Sequence, residues 1–111
     1  MCRSTREQPI KILVVDDAAT VVEQLTANLR GGGYDVVTAH DGLEAKLRLC
    51  EHPDIQLAIV DLHMPRMDGQ ELVEHIRNIN GLEDLPIVVL TTDKAPANLD
   101  KAMSKGATGW I

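Results

Sequence analysis

At 111 residues the chain is sized for one domain with a single hydrophobic core. A formal charge of −6, with Tyr34 and Trp110 as the only aromatic residues, excludes the basic, base-stacking surface of a nucleic-acid binder. No apolar run approaches membrane-spanning length, and the opening MCRSTREQP lacks the apolar core of a secretory signal, so the expectation is a cytoplasmic protein without membrane contact.

Residues 1–9 are polar, end in Pro9 and read as a tail. IKILVV at 10–15 is a first strand that delivers Asp16 and Asp17 at its carboxyl end. Val21, Val22, Leu25 and Leu29 recur at helical spacing, with either Thr20 and Glu23 spaced for a capping box or the helix beginning a turn earlier. The glycines at 31–33 stop that helix. YDVVTA at 34–39 is shorter and more polar, as suits an edge strand. Asp41-Gly42 turns the chain into a helix over 43–51, with Leu43, Leu47 and Cys50 on one face and Pro53 closing it. Cys2 and Cys50 have no metal-type spacing and read as free thiols in a reducing compartment.

LAIV at 57–60 is a run typical of a strand buried on both faces, and it ends at Asp61. Pro65 and Gly69 then hold a loop open. Leu72, Val73, Ile76 and Ile79 mark a third helix, closed by Asn80-Gly81. Pro86 opens a strand at 87–90 that delivers Thr91 and Thr92. A fourth helix over 97–105 carries Leu99, Ala102 and Met103 and is capped by Gly106. A fifth strand begins at 107. Strict β–α alternation with apolar strands implies an α/β, doubly wound parallel sheet with right-handed crossovers.

If the first and third strands are neighbours, Asp16, Asp17 and Asp61 share one shallow pocket at their carboxyl ends, where open α/β sheets bind ligands. Like charges a few ångströms apart repel by roughly 1–4 kcal/mol per pair near a surface, so something must offset them. A hard divalent cation does so, and Mg²⁺ is the usual one where phosphate also binds. Thr91 adds a hydroxyl donor beside the pocket, and a carboxylate can itself take a phosphoryl group. Asp61, central and preceded by a rigid strand, is the best placed.

Four stretches together resemble the receiver domain of two-component response regulators: VVDD at 14–17, DLHMP with MDG at 61–69, PIVVLTT at 86–92 and GATGWI at 106–111. The resemblance covers residues 10–111 and implies a flavodoxin-like, five-stranded sheet in the order 2-1-3-4-5. It implies that Asp61 is the phosphoacceptor, served by a histidine kinase or phosphotransfer protein. Asp16, Asp17, Asp61 and the backbone carbonyl of His63 would hold Mg²⁺. Thr91 would bond the phosphoryl group and Trp110 would be the aromatic switch, stationed beside an output surface that an effector domain or downstream protein reads. The resemblance implies a signalling domain that assists its own phosphoryl transfer and hydrolysis, not a turnover enzyme. Thr92 stands where a small Ala is usual, and His63 and Asp93 flank the pocket where the family tunes the lifetime of the phosphorylated state.

The family's catalytic lysine falls beyond Ile111, as does its fifth helix, so a C-terminally truncated domain is expected, with exposed sheet surface that favours a homodimer. Two rival readings are a phosphorylation-independent interaction module and a Mg²⁺-dependent phosphohydrolase. The second wants an acid two residues after the nucleophile, where this chain has His63.

Overall fold

Val, Leu and Ile fill successive positions of the central strands, so both sheet faces are apolar and both need covering. The computed structural model describes residues 9–61, 69–79, 81–90, 103–104 and 106–110. Its elements are β1 (Lys11–Val15), α1 (Ala19–Gly31), β2 (Asp35–Ala39), α2 (Gly42–Glu51), β3 (Ile55–Asp61), α3 (Gly69–Arg77), β4 (Ile87–Leu90) and β5 (Gly109–Trp110). The strands form one parallel sheet in the order β2-β1-β3-β4-β5, the expected order with β2 at an edge.

The two faces carry separate cores. Leu13, Val15, Ala58, Val60, Ile87 and Val89 face α2 and α3, meeting Ala45, Leu49, Leu72, Val73 and Ile76. Ile12, Val14 and Ile59 face α1 and meet Val22, with Leu25 and Leu29 packed alongside. On this second face Leu57, Val88 and Leu90 stay half-buried, whereas Val60, Ile87 and Val89 opposite are fully buried. The helix expected over 97–105 lies largely outside the described residues, although Met103 and Ser104 are helical. Among the described residues no helix is long and apolar enough to cross a membrane.

Helix boundaries follow local chemistry, which decides between the two starts open for α1. The helix α1 begins before the expected Thr20–Glu23 box, with Ala18 at the N-cap and no side-chain cap. Asp16 bonds the Ala18 amide instead, so the chain needs no hydroxyl at the cap. Its far end closes as a Schellman motif: Tyr34 N–H donates to Leu29 O and Gly33 N–H to Arg30 O, with Gly33 at φ +93°.

At α2 the face carrying Leu43, Leu47 and Cys50 is turned to solvent, and Gly42, Ala45 and Leu49 face the core. Ala45 and Leu49 share the face that meets the sheet, which leaves Leu43 and Leu47 outside. Asp41 caps α2 by accepting from Glu44 N–H at 2.8 Å, and Glu44 reaches back to accept from His40 N–H at 2.6 Å. Asp41→Ala should therefore cost about 1 kcal/mol in urea unfolding at neutral pH. The His40 amide bond holds the Glu44 carboxyl below its ordinary value of 4.5. A depressed carboxyl stabilises the fold above its unfolded pKa, so this contribution is complete above about pH 4.5 and is lost as the pH falls through the lowered value. Glu44→Gln should flatten that part of the stability profile.

Candidate functional site

The register of β1 with β3 pairs Val15 with Val60, so the next residues, Asp16 and Asp61, leave neighbouring strands side by side. Asp17 follows on the same rim. One carboxylate oxygen from each of Asp16, Asp17 and Asp61 lies within 4.8 Å of the others. Asp16 is only 5% exposed, Asp61 is half-buried and Asp17 is open to solvent.

The backbone fixes this geometry. Asp16 N–H donates to Ala39 O at 3.1 Å, which ties the end of β1 to the end of β2. Asp16 Oδ1 accepts from Ala18 N–H at 2.9 Å and turns the chain towards α1. Asp16 thus orders the loop as well as lending charge to the pocket, a role that the Asp-x-Ala spacing hinted at and the charge pattern concealed.

The residue types fit a hard divalent cation. Buried carboxylates are normally paired, yet neither Asp16 nor Asp17 has a cationic side chain as partner among the described residues. A cluster made only of carboxylate oxygens is the donor set that Mg²⁺ prefers to zinc or copper.

The register also places the remaining expectations. Asp61 pairs with Leu90 across β3 and β4, so β4 ends at the same end of the sheet as Asp61. Thr91 itself lies outside the described residues, as does His63. Trp110 lies in β5, with its backbone in register with Val89.

Comparison with known proteins decides the family. A family model described as "Response regulator receiver domain" matches residues 12–111. The chain belongs to the response regulator receiver domains. A chemotaxis protein CheY homolog from Campylobacter jejuni is 37% identical over 103 residues, covering 92% of this chain and 79% of that protein. The response regulator MprA of Mycobacterium ulcerans is also 37% identical over 103 residues, but the match spans only 43% of its length.

Among solved structures, Vibrio cholerae chemotaxis protein CheY4 superposes with a TM-score of 0.89 at 34% identity, covering 93% of this chain and 85% of that one. CheY from the CheX-CheY-BeF3-Mg complex of Borrelia burgdorferi gives 0.86 at 28% identity, covering 93% and 77%. Receiver domains are signalling domains of two-component and chemotaxis systems, and phosphorylation on aspartate is their general function. They interact with kinases or phosphotransfer proteins and with effectors.

Proposed function

We propose that Asp61 accepts the phosphoryl group, from a histidine kinase or phosphotransfer protein, and that Asp16 and Asp17 hold Mg²⁺ beside it. The observation that carries this reading is the convergence of three carboxylates at the ends of β1 and β3, with no cation opposing Asp16 or Asp17 among the described residues. A bound Mg²⁺ would offset the charge of the carboxylates and of the incoming phosphoryl oxygens. The backbone carbonyl of His63 would be the further ligand, as the family resemblance implies.

The chain's own residues do the positioning. An Asp61 oxygen forms the new bond to phosphorus as the donor's bond to phosphorus breaks. Thr91 donates its hydroxyl to the phosphoryl group, and Trp110 responds as the switch that reshapes the output surface for an effector. The same pocket assists later hydrolysis, with His63 and Asp93 setting its pace. The module spans 10–111, with 1–9 as a tail. A cytoplasmic location suits Cys50, which is a free thiol.

Intact mass after incubation with Mg²⁺ and acetyl phosphate tests the assignment. The wild type should gain one hydroxylamine-labile phosphoryl group, and Asp61→Asn should gain none. An adduct that survives in Asp61→Asn would move the acceptor elsewhere. No adduct in either protein, despite measured Mg²⁺ binding, would favour the phosphorylation-independent module.

A further inference from the structure

On α2, Leu43 is 45% exposed and Leu47 62% exposed, and Cys50 is exposed beside them. At 100° per residue these positions fall within an arc of about 60° on one side of the helix. Their spacing of four and then three is the d-a-d pattern of a helix–helix seam. The core does not use them, since Gly42, Ala45 and Leu49 make the buried contacts of α2. The stripe continues past Cys50 into an apolar groove of about 330 Å³ lined by Leu49, Pro53, Ile79, Gly81 and Leu82.

The flanking charges say what covers it. Lys46 and Glu51 lie on opposite borders of the stripe, at the g and e positions of that register, and Glu44 shares the border of Glu51. Arg48 binds Glu44 at 3.1 Å and Glu51 at 2.9 Å, whereas Lys46 makes no ion pair among the described residues. The Glu51 side chain is 56% exposed, so it can take a second cation. In a parallel pair of α2 helices, Lys46 of each copy meets Glu51 of the other, at the g-to-e spacing of five residues. In an antiparallel pair, Lys46 would face Lys46 and Glu44 would face Glu51, both repulsive. The pattern is complementary to itself in one orientation only.

We propose that two copies of this chain associate through α2, parallel about a two-fold axis. Leu43, Leu47 and Cys50 each meet their own equivalents, and the Lys46–Glu51 pairs close both sides. This is a self-association surface at α2, independent of the Asp61 pocket. The stripe is short, so the pairing is weak and transient, below the area of a standard stable interface.

The full chain carrying Cys2→Ser leaves Cys50 as its only thiol. Sedimentation velocity from about 10 µM to about 1 mM should show a monomer–dimer equilibrium that weakens with salt. Diamide, a two-electron oxidant, should trap a Cys50–Cys50 disulfide, because the two-fold axis brings the thiols together. Lys46→Glu should lower the yield of trapped dimer roughly tenfold. The exchanged pair Lys46→Glu with Glu51→Lys should restore it. Leu47→Gln, at a solvent-facing position where folding is unaffected, should abolish association.

A chain that stays monomeric throughout, or a dimer that survives Leu47→Gln through another face such as Leu57, Val88 and Leu90, would overturn the proposal. A charge exchange that fails to restore the trapped dimer would overturn the parallel orientation.

Discussion

Asp16→Asn is expected to raise the thermal stability of the metal-free protein. Most substitutions of a buried group destabilise, but this one removes charge from a cluster whose carboxylate oxygens lie within 4.8 Å of one another. At that separation each like-charge pair repels by about 1–3 kcal/mol for surface-like dielectrics, and Asp16 is the most buried of the group. Asparagine keeps an oxygen to accept from Ala18 N–H, so the turn into α1 survives. The expected gain is about 1–2 kcal/mol, or a melting temperature higher by several degrees. Added Mg²⁺ should stabilise the wild type through binding linkage and the variant much less, so the two melting curves should converge or cross as Mg²⁺ rises. A variant less stable than wild type without metal would show that the carboxylate repulsion is not the governing term in this pocket. Calorimetry with EDTA, then with Mg²⁺, separates the outcomes.

The acidic pocket was legible because its determinants are local and periodic. An apolar strand ending in Asp is readable as such, and β–α alternation then brings the ends of β1 and β3 to one rim. The sheet order came from the family resemblance, since alternation alone does not say which strands are neighbours. What the sequence concealed were cases where one side chain has two possible partners. The Thr20–Glu23 spacing imitated a cap, but the Asp16 carboxylate bonds the Ala18 amide and α1 begins two residues earlier, with Ala18 at the N-cap. At α2, periodicity picked out Leu43, Leu47 and Cys50 as an apolar face, yet the core took Ala45 and Leu49. Two apolar stripes share that short helix, and spacing alone does not say which one faces inward. The Arg77 contacts described below were equally hidden, because they join residues 29 and 31 positions apart.

Gly106→Ala should be the most damaging glycine substitution at a positive φ among the described residues, at about 2–4 kcal/mol. Gly106 sits at φ +118°, and a Cβ there would lie 2.7 Å from Arg77 Cγ and 3.1 Å from Arg77 Nε. Because Cγ is near the root of the side chain, Arg77 cannot swing aside without moving its guanidinium. That guanidinium donates from Nε to Gly106 O at 2.9 Å, from Nη1 to Leu82 O at 3.2 Å and from Nη2 to Thr108 Oγ1 at 3.4 Å. Thr108 in turn accepts from Ile87 N–H at 3.0 Å and so seats the entry of β5 against β4.

The controls are Gly33→Ala and Gly81→Ala. Both glycines have φ +93° with nothing within 4 Å of a Cβ, so only the backbone penalty of about 1–2 kcal/mol applies. Denaturant unfolding of the three variants separates backbone strain from the clash, and equal losses at all three would remove the Arg77 contact from the account. Amide hydrogen exchange in β5 gives a local reading of the same event. Exchange there should quicken in Gly106→Ala under conditions where the protein remains folded, and stay unchanged in Gly33→Ala. Among the described residues β5 pairs with β4 through Gly109 and Trp110, and the Arg77 contacts to Gly106 and Thr108 anchor the entry to that ladder.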